Sequence, residues 1–214
     1  MARASISTPL FDVFQPGLRR GAERLPYDPA KAYAYVEHPT EGWRVYLRSC
    51  VFLHSPEQKR INHFLVVKRC GARPSAPTWE PPKGQMEGKD GIRGSKTVLE
   101  LLTENVLRET EEESHIQRVD RLKHTGLVFQ AQERDFPANW FFQYHIFQGM
   151  VGEDEIARSF DTFAWIKEHP AAFARWRRDR REKDAVAWFS PARTPLNRRW
   201  CPDIVALYLA HGRL

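Results

Sequence analysis

Runs of apolar residues bounded by turn-forming residues predict the strands of this chain. Five such runs are rich in β-branched and aromatic side chains: Trp43–His54, Asn62–Arg69, Thr125–Gln132, Trp140–Val151 and Phe160–Ile166. The first two lie on either side of a short polar turn, Ser55–Arg60. The sequence therefore predicts a sheet that includes these segments.

Helical composition marks three further segments. From Lys96 to Glu113 the chain is dominated by Glu, Leu, Lys and Arg and contains neither Gly nor Pro, which favours a helix. A second helix is predicted to begin at Lys167 and to continue to Arg178. An apolar helix over Pro202–Ala210 is expected to close the chain.

Prolines and glycines mark the irregular regions. Residues 1–40 contain five prolines and no sustained periodicity, so we expect an irregular N-terminal extension with one short helix around Pro29–Val36. Four prolines within Gly71–Pro82 predict a loop. Three glycines and several charged residues predict a flexible insertion at the cleft over residues 85–96.

A cluster of carboxylates ends the first predicted helix. At about 100° per residue, Glu109, Glu112 and Glu113 fall within one sector roughly 100° wide, whereas Glu111 lies on the opposite side. Like charges held this close repel one another unless a cation lies among them. Hard oxygen ligands on one helix face favour Mg²⁺ or Mn²⁺ over zinc. The alternative interpretation is a solvated acidic helix end.

Charge and cysteine content narrow the classes of partner. The 214 residues carry a formal net charge of +6, which favours polyanions such as nucleotides, polyphosphates or RNA. The three cysteines are scattered and lack paired spacing, so neither structural zinc nor a disulfide framework is indicated, and a reducing compartment such as the cytoplasm is expected. No apolar run approaches the ~20 residues that a membrane span needs, so no membrane partner is expected.

The residues around the carboxylates resemble the signature of the Nudix hydrolases, G-x5-E-x7-R-E-U-x-E-E-x-G-U with U apolar. Glu100, seven further residues and then Arg108-Glu109-Thr110-x-Glu112-Glu113 follow this spacing. Together with the run Pro81-Pro82-Lys83-Gly84 after Trp79, the motif looks most like that of the dinucleoside-tetraphosphate (Ap4A) hydrolases, and the mRNA-decapping Nudix enzymes come second.

The chain departs from the family pattern at three positions. His115 stands where the family usually has Gly, and Glu100 follows Leu99 rather than Gly. In the family, Pro-Lys directly precedes the first Gly of the signature. Here Pro82-Lys83 precedes Gly84, but the spacing of the signature points to Gly94. An insertion of about ten residues before the helix would explain this difference.

The resemblance implies a fold and a set of metal ligands. The fold is α/β: an α/β/α sandwich with a mixed sheet, in which the signature forms a loop-helix-loop. Residues 41–214 would form this domain, with a basic helical extension at the C-terminal end. The implied ligands of Mg²⁺ or Mn²⁺ are Glu109, Glu112 and Glu113.

Further roles follow from the same resemblance. Arg108 matches the family arginine that orients a catalytic glutamate. We rank Glu112 first as general base and Glu155 next, because Ser159 stands where the tetraphosphate-hydrolase branch carries a glutamate. Lys83 and Gly84 are the expected contacts to a substrate phosphate.

The expected reaction is metal-dependent hydrolysis of a nucleoside diphosphate linked to another group. Dinucleoside polyphosphates are the first candidate substrates, because of the motifs at Trp79–Gly84 and Arg108–Glu113. Capped RNA comes next, because the segment from Arg175 to Lys183 is basic and, if helical, would place Arg177, Arg180 and Arg181 on one side. Diphosphoinositol polyphosphates are third. A rival of another class is a non-catalytic Nudix-like module that binds RNA or protein.

Overall fold

A computed structural model describes residues 9–58, 60–73, 76–91 and 94–214 of the chain. Its strands are β1 Arg19–Leu25, β2 Asp28–Glu37, β3 Arg44–His54, β4 Leu65–Arg69, β5 Trp79–Glu80, β6 Lys83–Gln85, β7 Asp120–Ala131, β8 Trp140–Met150 and β9 Lys183–Trp188. Its helices are α1 Gly88–Gly91, α2 Val98–Ser114, α3 Glu153–Glu168, α4 Pro170–Phe173 and α5 Cys201–His211, with a 3-10 turn at Arg178–Arg181.

The strands form two sheets. The larger one has the order β1-β2-β3-β8-β7, and β6 also pairs with β3. The pairs β1–β2 and β2–β3 are antiparallel. In contrast, β3 and β8 run in the same direction, since the Arg44 amide donates to Asn139 at one end and the Val151 amide donates to His54 at the other. The smaller sheet, β5-β4-β9, is antiparallel.

The α/β class and the mixed sheet are therefore confirmed, and the elements are consistent with an α/β/α sandwich. Within the described ranges, no helix has the length and apolarity that crossing a membrane requires.

Internal contacts divide the chain into two compact units. Unit 1 comprises the chain up to Ser49, Gly84–Asn105 and Val128–His145. Unit 2 comprises Cys50–Lys83, Val106–Leu127 and Ile146–Leu214.

Each unit has an aromatic centre. In unit 1 the buried rings of Tyr46 and Phe142 stack with their centroids 5.2 Å apart. In unit 2 Phe52 stacks on Tyr208 at 3.6 Å and meets the edge of Phe64 at 4.8 Å. Nearly every residue of β3 is buried, as expected for a strand that is covered on both faces.

The prediction of an irregular N-terminal extension with a helix is wrong for residues 19–37, which form the β1–β2 hairpin. Its physical basis is cross-strand packing. Gly21 lies opposite Tyr35, and an added Cβ at Gly21 would come 2.4 Å from the tyrosine ring, so the missing side chain makes room for that ring. Pro26 lies in the turn between the strands and therefore breaks no ladder.

The prediction of a flexible insertion over residues 85–96 is wrong for its first part. Met86 is buried, and its carbonyl accepts a hydrogen bond of 2.8 Å from the Ala34 amide of β2. Gly88 packs so closely on the hairpin that an added Cβ would lie 2.5 Å from the Ala22 methyl group. The buried side chain of Met86 and the close approach at Gly88 therefore dock this part of the segment on the hairpin. Residues 92–93 lie outside the described ranges.

The predicted strand over Phe160–Ile166 is also wrong, because this segment belongs to α3. The buried residues of α3 recur at helical spacing: Glu155, Ile156, Ser159, Phe163 and Ile166. The aromatic composition of this segment is typical of a strand, whereas the spacing of its buried residues is that of a helix.

The basic segment after α3 is not the predicted helix. After α4 the chain makes only the 3-10 turn at Arg178–Arg181 and then enters β9, which pairs with β4. Arg177, Arg180 and Arg181 therefore do not share a helix face. In β9 the side chains of Lys183 and Val186 are buried, and these residues pair with Arg69 and Val67 of β4.

Candidate active site at the end of helix α2

Helix α2 begins with a capping box. The Thr97 amide donates to Glu100 Oε2 at 2.7 Å, and the Glu100 amide in turn donates to Thr97 Oγ1 at 3.2 Å. This reciprocal pair satisfies two amides at the start of the helix. The observed role of Glu100 is therefore to begin α2.

Arg108 joins two of the predicted metal ligands. Its Nη2 atom lies 2.8 Å from Glu109 Oε1, and its Nη1 atom lies 2.9 Å from Glu112 Oε2. The guanidinium thus contacts both carboxylates. A planar group with two fixed donors holds both carboxylates in one geometry.

Glu109 lies close to three other carboxylates. Burial raises the pKa of its carboxyl to about 8; Arg108 opposes this rise, and the carboxylates of Glu113, Glu112 and Glu182 add to it. A carboxyl with this surplus of negative neighbours favours an added cation.

Glu113 has a different set of partners. Its Oε1 atom lies 2.8 Å from the Lys183 ammonium, and its Oε2 atom accepts a hydrogen bond of 2.9 Å from the Lys83 amide. The carboxylate is buried, and burial raises its pKa against the attraction of Lys183. Both oxygens that were predicted to bind metal therefore already have donors.

A second carboxylate, Glu80, shares the same lysine. Glu80 Oε1 contacts the Lys183 ammonium, and Glu80 Oε2 lies 3.1 Å from both the Lys83 ammonium and Asn197 Nδ2. Burial alone would raise the pKa of Glu80, but the two ammonium groups lower it to about 2. We call Glu80, Lys83, Glu113, Lys183 and Asn197 the Lys183 cluster.

Sequence reasoning missed three members of this cluster. Of the three, Glu80 could have been suspected from the sequence, because a glutamate between Trp79 and Pro81 interrupts an apolar run. The sequence around Lys183 and Asn197 does not indicate a site, because these residues come close to Glu80 only through the pairing of β4 with β9 and the fold of the chain that follows.

The predicted phosphate contacts have other partners. The Lys83 ammonium pairs with Glu80, and the Lys83 amide holds Glu113. The Gly84 carbonyl oxygen lies 3.5 Å from the amide nitrogen of Asn105. Phosphate binding by Lys83 and Gly84 stays a prediction.

Glu155, the second candidate base, lies in the first turn of α3. Its Oε2 atom accepts a hydrogen bond of 3.0 Å from the Gln117 amide, and its Oε1 atom accepts one of 2.7 Å from Arg158. Although burial opposes the change, these donors lower its pKa. Its contacts are those of an anchor for the chain after α2, and its role as a base stays a prediction.

The donor set at the end of α2 suits a divalent cation in part. Glu109 and Glu112 offer the hard oxygens that Mg²⁺ or Mn²⁺ prefers, and the carboxylates of Glu113, Glu112 and Glu182 add negative charge around Glu109. Glu113 does not fit, because both its oxygens are engaged. Accordingly, among the residues that the structure covers, no group of three or more His, Cys, Asp or Glu is arranged to hold a metal ion.

Comparison with known proteins gives matches in structure alone. No protein-family model and no curated protein matches the sequence.

Three solved structures illustrate the likeness of the backbone. A Nudix hydrolase from Nitrosomonas europaea has 14% identity and a TM-score of 0.45, over 78% of this chain and 90% of its own. The Nudix domain of Shewanella oneidensis NrtR, complexed with ADP ribose, has 14% identity and a TM-score of 0.45, over 80% and 90%. An Ap4A hydrolase from C. elegans has 14% identity and a TM-score of 0.42, over 77% and 96%.

Proposed function

We infer that this protein is a Nudix-type hydrolase that cleaves phosphoanhydride bonds in nucleoside-diphosphate-linked substrates with the help of Mg²⁺ or Mn²⁺. The observation that carries the proposal is the pair of carboxylates, Glu109 and Glu112, that Arg108 holds at the end of α2. These residues occupy the Arg-Glu-x-x-Glu part of the signature.

The chemistry requires charge neutralisation and a proton acceptor. Phosphoanhydride oxygens repel an incoming nucleophile, and a bound divalent cation neutralises them and lowers the pKa of a bound water. Arg108 keeps Glu109 and Glu112 in place, so that no ordering of these side chains is needed during the reaction. Glu112 is the base that takes the proton from the attacking water.

Dinucleoside polyphosphates are the proposed substrates. The support is the sequence Trp79-x-Pro81-Pro82-Lys83-Gly84, which, together with the carboxylate motif, resembles the tetraphosphate-hydrolase branch. The net charge of +6 is suited to such polyanions.

A second candidate substrate is capped RNA, which an exposed aromatic surface favours. Trp165 is 38% exposed and stacks on His169 at 4.6 Å, and the Trp176 ring lies nearly parallel to it at 5.8 Å. Arg175 and Arg177, on either side of Trp176, are exposed. Aromatic rings with neighbouring arginines bind single strands by stacking and charge attraction.

A hydrolysis panel tests the proposal. The purified protein is incubated with a dinucleoside tetraphosphate, capped RNA, ADP-ribose or a diphosphoinositol polyphosphate, each with Mg²⁺, with Mn²⁺ or with a chelator. We expect cleavage of the dinucleotide that the chelator abolishes. Cleavage of capped RNA alone would select the second candidate, and no cleavage of any substrate would leave the non-catalytic module.

A further inference from the structure

Helix α3 contacts the end of α2 through one stripe of its surface. The stripe consists of Glu155, Ser159 and Phe163, which follow one another at intervals of four residues and are all buried. Each of them contacts the segment Ser114–Arg118, in which α2 ends and the chain leaves the helix. We call these three residues the α3 stripe.

Ser159, in the middle of the α3 stripe, binds the last turn of α2. Its Oγ atom donates a hydrogen bond of 2.6 Å to the Ser114 carbonyl oxygen, and both residues are fully buried. The last four carbonyl groups of a helix have no amide partner within that helix. The Ser159 hydroxyl therefore supplies a donor to a buried carbonyl that α2 itself cannot satisfy.

Glu155 holds the chain that follows α2. Its Oε2 atom accepts hydrogen bonds from the amides of Gln117 at 3.0 Å and Arg118 at 3.5 Å. Its Oε1 atom accepts one of 2.7 Å from the Arg158 guanidinium. Because both oxygens have donors from the protein, this carboxylate is suited to fixing the backbone rather than to taking a proton from water.

The backbone at His115 explains why the end of α2 needs support. His115 has a φ of 59°, in the left-handed region that glycine usually occupies after a helix. Its ring packs on Phe163 with the centroids 5.0 Å apart, and the next residue, Ile116, is buried. Contacts from α3 thus stabilise a helix end that lacks the usual glycine.

We propose that the α3 stripe is a positioning element for the reaction, and that Ser159 is its central positioning residue. Ser159 fixes the last turn of α2 and so keeps the Glu112 carboxylate, 2.9 Å from Arg108, where it takes the proton from water. A displacement of about 1 Å in such a group can cost about 100-fold in rate. The inference rests on the proposed function, in which Glu112 is the base.

Steady-state kinetics of Ser159→Ala test the inference, with the substrate of the hydrolysis panel that the original chain cleaves. We expect kcat to fall at least about tenfold while KM stays within about threefold, because the change loosens the turn that carries Glu112. Thr162→Ala is the matched control, since the Thr162 hydroxyl donates to the Arg158 carbonyl of α3 itself. Its kcat should stay within about twofold.

The split between kcat and KM distinguishes positioning from stability. Circular dichroism gives the folded fraction and the melting temperature of each variant, and kcat is expressed per folded molecule. A residue that served stability alone would lower the melting temperature and leave kcat per folded molecule unchanged.

Glu155→Gln distinguishes positioning from proton transfer. The amide side chain retains an oxygen that accepts from the Gln117 amide, but it cannot act as a general base. We expect kcat to fall by less than about tenfold, whereas loss of a general base costs about 100- to 10,000-fold. A loss of that larger size would overturn the assignment of the α3 stripe to positioning.

If Ser159→Ala does not fold, Ser159→Cys takes its place, because a thiol is a weaker donor of similar shape, and the same fall in kcat is expected. An unchanged kcat in the folded Ser159 variant, or an equal fall in Thr162→Ala, would overturn the inference and leave the hydrolase proposal intact. If the original chain cleaves no substrate of the panel, the hydrolase proposal fails and this inference fails with it.

Discussion

The three signature carboxylates have different surroundings although they lie within two turns of one helix. Arg108 contacts Glu109 and Glu112, while Lys183 contacts Glu113. Helical spacing places all three on one side, but the partners that each one meets decide its chemistry. Glu109 and Glu112 contact the same guanidinium, whereas Glu113 contacts a buried ammonium that it shares with Glu80.

At this scale we expect Glu109→Gln and Glu112→Gln each to lower kcat for a dinucleoside tetraphosphate by at least about 100-fold, because each change removes a charge from the proposed cation site. Glu111→Gln is the matched control, since Glu111 pairs with Arg180 on the outer side of α2. Its kcat should stay within about twofold. Circular dichroism checks the fold, and an equal loss in all three variants would contradict the assignment.

His54 predicts a dependence of stability on pH. Burial lowers its pKa to about 4, its Nε2 atom lies 2.7 Å from the Tyr208 hydroxyl, and its Nδ1 atom faces the His63 carbonyl. Because the pKa in the unfolded chain is about 6.5, the unfolded state binds more protons between these values, and stability falls as pH falls from about 6.5 to 4.

The free energy of unfolding, measured in urea at several pH values, checks this dependence. His54→Gln should flatten the decline below pH 6.5 by up to about 3 kcal/mol, which corresponds to the shift of the histidine pKa. Tyr208→Phe, which keeps the ring that stacks on Phe52, controls for loss of the hydrogen bond alone. An unchanged slope in the His54 variant would contradict the assignment.

At the scale of elements, sequence patterns predicted the buried strands and helix α2. β3, β8 and α2 lie close to their predicted bounds, because each has a long run with one clear composition. The pattern failed where a short segment carried a local signal of the wrong kind. α3 contains an aromatic run typical of a strand, and the β1–β2 hairpin contains prolines typical of a loop.

The docking of α1 on the hairpin gives a prediction at this scale. Gly88→Ala should lower the free energy of unfolding by about 1–3 kcal/mol, the usual cost of overpacking, because its Cβ would lie 2.5 Å from that of Ala22. Gly94→Ala is the control, since an added Cβ there meets no atom within 4 Å. Thermal unfolding measures both; equal melting temperatures would show that the segment does not pack.

At the scale of the whole molecule, the sequence predicted that the signature glutamates lie on one helix, but it did not predict which partners their side chains meet. The spacing of Glu109, Glu112 and Glu113 follows from helix geometry alone. The division between Arg108 and Lys183 could not be predicted, because Lys183 meets Glu80 across 103 residues of chain. Long-range pairing of strands decides whether such a lysine is buried or solvated.

The net positive charge keeps RNA among the expected partners. In the structure, the residues best suited to contact RNA differ from those that the sequence suggested. Arg180 pairs with Glu111, and Arg177 pairs with Asp179, so part of the basic segment is neutralised. The exposed ring of Trp165, stacked on His169, is the stronger candidate for contact with a base.

We therefore expect Trp165→Ala to weaken the binding of capped RNA by about 5- to 150-fold, which corresponds to the ~1–3 kcal/mol that stacking of one base contributes. The double variant Arg175→Gln/Arg178→Gln should flatten the plot of log K against log salt by about 1.4, because each lost phosphate contact removes about 0.7 for a single strand. Hydrolysis of a dinucleoside tetraphosphate, measured in parallel, should stay unchanged in both variants. If RNA binding and its salt dependence are also unchanged, this surface does not bind RNA, and the dinucleotide remains as the proposed substrate.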